Sequence, residues 1–170
     1  MSEPEEKIKK MFLEVFEKNI GIVIKVSRAY TAVAQDREDL TNDIALELWK
    51  SFASFREESK VSTWIYRVAL NTAMNFSRKN RRGNQIIFDG GKTLDSLSWM
   101  PDQIEDDQTE LLYKCIEDLN KLNKAIVLLY LDGHSHDEIS VITGISKTNV
   151  GTRMMRIRDE LRNIVSKQKD

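Results

Sequence analysis

The chain has 170 residues, 41% hydrophobic and 31% charged, with seven glycines and two prolines; that suits one ordinary domain or two small helical ones and excludes a disordered or loop-rich all-β chain. The lone cysteine, Cys115, excludes a disulfide framework and a cysteine zinc cage, and no apolar run approaches the roughly 18 residues of a membrane-spanning helix. The charged N-terminus lacks the apolar stretch of a signal peptide, so a reduced, soluble, cytoplasmic protein is expected, and its net charge of −1 conceals strongly unequal blocks.

Ser2 and Glu5, with Pro4 between them, have capping-box spacing at the start of a first helix. Its apolar stripe is Ile8, Met11, Phe12, Val15 and Phe16, the i, i+3, i+4, i+7 pattern of an amphipathic helix. A second helix is predicted from about Ile20 to Ala34. A third runs from near Asp36 to about Phe52, with Leu40, Ile44, Leu48 and Phe52 inward. The polar stretch Phe55 to Ser62 reads as a loop. Thr63 to Arg82 reads as one long helix with Trp64, Ile65, Val68, Ala69 and Thr72 inward, closed by Gly83. Residues 67–88 carry five cations and no acid.

The periodicity then stops. Residues 89–112 hold seven acids against one cation and include Gly90, Gly91 and Pro101, the composition of a flexible acidic linker. Its apolar residues, among them Leu94, Leu97, Trp99 and Met100, suit a segment laid on a partner. Helicity resumes at about Thr109 with the stripe Leu111, Leu112, Cys115, Ile116 and Leu119. Lys121 to Leu131 forms the next helix. Ser135 and Glu138 make a second capping box for a short helix, His136 to Thr143. Thr143-Gly144-Ile145 is a tight turn, and Ser146 caps a last helix from Lys147 to about Val165. Residues 143–170 hold seven cations against three acids. There is no internal repeat and no β-hairpin signal. The expected fold is all-α: a domain at 1–88, an acidic linker at 89–108, and a second helical domain at 109–170 containing a helix-turn-helix.

Three constellations carry chemistry. In the helix-turn-helix, Ile139, Ile142, Ile145, Val150, Met154 and Ile157 are placed to bury the two helices against each other. Lys147, Asn149, Thr152, Arg153 and Arg156 remain for the outer face of the second helix. Arg and Asn can reach base edges in a major groove and Thr can reach phosphate, which the helix N-terminus also favours. The helix from Trp64 to Arg82 has the aromatics Trp64 and Tyr66 at one end and Asn71, Asn75, Arg78 and Lys79 at the other, a combination suited to unstacked bases and a phosphate backbone; Trp64 and Tyr66 are equally suited to the core. Asp39, Asp43 and Glu47 form a carboxylate row at i, i+4, i+8, which mildly destabilises its helix and suits a basic partner.

Enzymatic readings find little footing. His134 and His136 lack metal-ligand companions, Cys115 sits on an apolar stripe without a nearby histidine, and there is no phosphate-binding glycine motif. No catalytic residue, metal or cofactor is expected.

The stretches REDLTNDIALELW, STWIYRVALNTAMNFSRKNRR and GHSHDEISVITGISKTNVGTRMMRIRDELR resemble regions 2 and 4 of bacterial sigma factors of the sigma-70 superfamily. The compact layout resembles the extracytoplasmic-function (ECF) subgroup, over nearly the whole chain. The resemblance implies a factor that binds core RNA polymerase, through the β′ clamp and the β flap, and directs it to −35 and −10 promoter elements. It implies polymerase contacts at Asp39, Leu40, Asp43, Ile44 and Glu47. It implies −10 contacts at Arg67, Asn71, Asn75, Arg78 and Lys79, with the loop Phe55–Ser62 capturing a flipped base. It implies −35 contacts at Lys147, Asn149, Thr152, Arg153 and Arg156. The acidic linker would follow the polymerase's RNA path, and an anti-sigma partner is common in the family. The chain departs from the pattern at Leu119-Asn120, where Leu-Pro is usual, and at Val150-Gly151-Thr152-Arg153, where Val-Lys-Ser-Arg is usual. A free-standing dimeric helix-turn-helix regulator is the alternative; it predicts palindromic sites and tight DNA binding without polymerase.

Overall fold

The computed structural model describes residues 2–76, 87–88, 92–93 and 106–168. Among these are seven helices: α1 (Glu3–Tyr30), α2 (Ala34–Phe52), α3 (Val61–Met74), α4 (Asp107–Glu117), α5 (Lys121–Leu131), α6 (His136–Thr143) and α7 (Lys147–Gln168). A two-residue antiparallel ladder, β1 (Ile87–Phe88) with β2 (Lys92–Thr93), pairs Ile87 with Thr93 and Phe88 with Lys92. No hairpin was expected there, because two-residue strands are too short to show an alternating pattern. The chain divides into two compact units, Met1–Ser27 with Val33–Gln103, and Arg28–Ala32 with Ile104–Asp170.

In the N-terminal unit, α1 is a single helix where two were expected. The stripe of Phe12 and Phe16 continues through Val23, Ile24 and Val26, all buried, so apolar packing carries the helix past Gly21 at the usual glycine cost of about 1 kcal/mol. Ser2 N donates to Glu5 Oε2 at 2.9 Å, the side-chain arm of the expected capping box, and this bond holds the Glu5 carboxyl below its usual value. Phe12 stacks on Phe16 (5.6 Å between centroids) and meets Trp49 and Phe52 edge-on at 5.2 and 5.4 Å. Phe52 and Phe55 in turn lie 6.2 and 4.8 Å from the Trp64 ring. Edge-on and offset geometries add to the burial term. Leu40, Ile44 and Leu48 of α2 and Ile65, Ala69 and Leu70 of α3 complete the core. Thr41 Oγ1 and Ser27 Oγ form a buried hydrogen bond of 3.0 Å within this core.

α3 begins two residues earlier than expected and ends at Met74 rather than running to Arg82. Asn75 Nδ2 donates to the Asn71 carbonyl at 2.9 Å, satisfying one of the carbonyls that a helix end leaves open. The expected helical residues 77–82, the closing Gly83, and the greater part of the 89–108 linker lie outside the described residues.

The C-terminal unit is built on capped helices. Asp106 opens α4 by accepting from Thr109 N (2.7 Å), Asn120 opens α5 by accepting from Asn123 N (2.9 Å), and Ser146 opens α7 by accepting from Asn149 N (3.1 Å). Both arms of the box at α6 are present: Ser135 N to Glu138 Oε2 at 2.7 Å and Glu138 N to Ser135 Oγ at 3.2 Å. Such caps contribute about 1 kcal/mol each. Ile116, Ala125, Ile126, Leu129, Ile139, Val150 and Ile157 are fully buried. Cys115 is free, 3% exposed, and its thiol is pushed up by burial and by the charge of Asp118. The last turn of α1 groups with this unit: Tyr30 Oη donates to the Lys121 carbonyl (2.6 Å), and Lys124 Nζ donates to that of Ala29 (3.1 Å). Burial raises the Tyr30 phenol and lowers the Lys124 ammonium.

Candidate nucleic-acid and partner interfaces

The helix-turn-helix is α6, a three-residue turn, and α7. Gly144 takes the left-handed conformation (φ 77°) that ends α6, a position where a side chain would be strained. Ser140 Oγ donates to the Ile145 carbonyl at 2.5 Å across the turn. Ile139, Ile142, Val150, Met154 and Ile157 are buried as expected, and Ile145 is half-buried.

Of the five residues expected on the outer face, Lys147, Asn149, Thr152 and Arg156 are exposed. Asn149, Thr152 and Arg156 are spaced i, i+3, i+7, so they share one face of α7. Lys147 Nζ lies 3.0 Å from Asp137 Oδ2 in an exposed ion pair, the kind worth at most about 1 kcal/mol. Arg153 differs. It is half-buried; its Nη1 donates to Asn123 Oδ1 and its Nε to Asn149 Oδ1, both at 3.2 Å. Arg158 is likewise turned back, donating to Tyr130 Oη at 2.8 Å and lying over that ring at 5.2 Å.

On α3, Arg67, Asn71 and Asn75 are exposed at i, i+4, i+8. Tyr66, open from sequence to base stacking or to the core, is 1% exposed and belongs to the core; Trp64 is half-buried against Phe52 and Phe55. Arg78 and Lys79 lie outside the described residues. The Phe55–Ser62 stretch is a loop up to Lys60, with Val61 and Ser62 already in α3, and Glu57 in it adopts φ 54°.

On α2 the expected partner face divides. Glu47 is exposed and paired with Lys50 Nζ at 3.0 Å, and Asp39 and Asp43 are half-buried. Leu40 and Ile44 are 0% exposed. The resemblance placed them among the partner contacts, whereas their side chains lie beneath the row, in the core.

Sequence reasoning missed Asn123 and the setting of Gly151. Asn120-x-x-Asn123 has N-cap spacing and was readable as such. The reach of Arg153 to Asn123, across thirty residues, has no local signature. Among the described residues no helix is long and apolar enough to cross a membrane, and no cluster of His, Cys, Asp and Glu could hold a metal ion.

Comparison with known proteins matches residues 15–83 to the family description "Sigma-70 region 2" and residues 109–161 to "Sigma-70, region 4". The ECF RNA polymerase sigma-E factors of Escherichia coli K12 and Salmonella typhimurium LT2 are each 29% identical over 142 residues, covering 76% of this chain and 74% of theirs. The Haemophilus influenzae sigma-E factor is 29% identical over 139 residues, covering 75% and 74%. Among solved structures, CnrH in complex with the cytosolic domain of CnrY superposes with a TM-score of 0.65 at 17% identity, over 93% of this chain and 89% of that one. The sigma factor RpoE in complex with the anti-sigma factor NepR from Bartonella quintana gives 0.63 at 19% identity, over 95% and 98%.

Proposed function

The chain belongs to the sigma-70 family of bacterial RNA polymerase sigma factors, in its extracytoplasmic-function subgroup, and we propose how its surfaces share that family's work. It binds core RNA polymerase and directs it to promoters, and the free-standing regulator reading finds no support in the relatives. The family is one of non-enzymatic transcription factors, so this chain acts in the cytoplasm as a subunit and carries out no covalent step of its own.

In the proposed division of labour, residues 1–88 bind the polymerase β′ clamp and the −10 element, 89–108 link, and 109–170 bind the −35 element and the β flap. Asp39, Asp43 and Glu47 offer the clamp a carboxylate row seated on Leu40 and Ile44. Arg67, Asn71 and Asn75 form the −10 face: the arginine neutralises phosphate and the amides hydrogen-bond displaced bases. Arg78 and Lys79 extend its charge in sequence. Asn149, Thr152 and Arg156 face the −35 major groove, with Lys147 and Arg153 at its border. An anti-sigma factor is a proposed further partner.

The observation that carries this reading is the match of both family regions, in order, to the two segments that bear the exposed polar faces of α3 and α7. The test is co-elution of the full chain with bacterial core RNA polymerase at moderate salt. A one-to-one complex is expected. Failure to co-elute, with tight binding of the free chain to palindromic duplex DNA, would replace this reading with the dimeric regulator.

A further inference from the structure

Arginines that read DNA are long and flexible, and their immobilisation costs binding free energy unless it is met beforehand. Arg153 is already immobilised. Its planar guanidinium has five N–H donors; Nε is held by Asn149 Oδ1 and Nη1 by Asn123 Oδ1, each at 3.2 Å. Asn149 is on the same helix, one turn earlier. Asn123 is on α5, is only 8% exposed, and is itself fixed by the bond from its backbone N–H to the Asn120 side chain. Both acceptors are amide oxygens. A carboxylate at either place would hold the same geometry but cancel the charge on which attraction to phosphate depends. An amide holds the fork and leaves the full positive charge and three N–H donors for the nucleic acid.

We propose that Asn123, a buried residue remote from the DNA face, is a positioning residue for −35 recognition: it orients Arg153 without neutralising it. This rests on the assignment of Arg153 to the −35 surface. It adds that the chain's discrimination among promoters depends on an amide in α5 that touches no base.

The test uses full-length protein in complex with core RNA polymerase and a duplex selected by the wild-type complex from a pool randomised at −35. Affinity is measured for Arg153→Ala, Asn123→Leu, Asn123→Asp and the double variant Asn123→Leu/Arg153→Ala, with circular dichroism and thermal melting of each. Leucine keeps the buried volume, and Asp keeps the hydrogen-bond geometry, so at least one variant folds. Arg153→Ala should weaken binding about tenfold, Asn123→Leu about fivefold, and the double variant no more than Arg153→Ala alone, since residues acting through one another are not additive. Asn123→Asp should lower the slope of log affinity against log salt by about one, the loss of one effective phosphate contact, whereas Asn123→Leu leaves the slope nearly unchanged. Equal losses from Asn123→Leu with and without Arg153, or an unchanged slope in Asn123→Asp, would overturn the positioning role alone. Unchanged affinity in Arg153→Ala would overturn it together with the −35 assignment of that arginine.

Discussion

The imidazole of His136 flanks Gly151: a Cβ built on the glycine would stand 3.7 Å from His136 Nδ1 and 3.9 Å from Cε1. Those are ordinary van der Waals separations, and Gly151 has helical backbone within α7. Gly151→Ala should therefore fit without displacement and stabilise the C-terminal unit by about 1 kcal/mol, the usual helical difference between the two residues. Thermal melting should show a rise of a few degrees, and a fall would mean that the ring cannot accommodate even a methyl group.

The carboxylate row and the residues beneath it should separate cleanly under mutation. Replacing Asp39 and Asp43 with Lys should abolish binding to core polymerase while leaving helical content near that of the wild type. Ile44→Ala should instead cost about 2–5 kcal/mol through the cavity it leaves, because the side chain is fully buried. Retained polymerase binding in the double lysine variant, measured by size-exclusion co-elution, would refute the clamp assignment.

Arg67 and Asn71 are exposed and one turn apart on α3. Alanine at either should change stability by no more than about 0.5 kcal/mol. Their effect should fall on promoter opening. Polymerase carrying either variant should assemble normally but show weaker permanganate reactivity at −10 thymines. Full reactivity in both would move the −10 surface away from this face.

The cap of α4 gives a pH-dependent prediction. Hydrogen bonds from Thr109, its side chain first and its backbone N–H second, hold the Asp106 carboxyl below its ordinary value. Lowering in the folded state means that the cap's contribution is fully present above the unfolded value and is lost as pH falls through the folded one. Carbon-detected NMR titration should find the Asp106 midpoint below that of a model aspartate, with α4 fraying at more acid pH. Thr109→Pro, which removes both donors, should return the midpoint toward the model value.

Most helices were legible because their signals are local. The Ser135–Glu138 box, Gly144 and Ser146 each mark a helix end within three or four residues, and all three act as read. The heptad-like spacing of Ile139, Ile142, Val150, Met154 and Ile157 gave the packing of α6 on α7. Where the sequence misled, a local rule lost to packing. A second helix was expected from about Ile20, but Val23, Ile24 and Val26 extend the buried stripe of α1 across Gly21. Tyr66 was open to base stacking or the core, and it is buried beside Ile65 on the inner face of α3. Asn75 closes α3 with its own amide, where the cations beyond it suggested a continuing helix. The hold of Asn123 on Arg153 depends on how α5 crosses α7, which no spacing along either helix encodes.

The chain's single thiol has a practical consequence. Cys115 is 3% exposed, and its raised pKa keeps it in the unreactive protonated form near neutrality. Oxidants and alkylating reagents can reach it only when the C-terminal unit opens. Its modification rate is therefore a built-in clock for that opening, comparable to hydrogen exchange but read at one atom. Wild-type protein needs no engineered label for this measurement. A polymerase, promoter or inhibitory partner that clamps the unit shut will announce itself by stopping that clock.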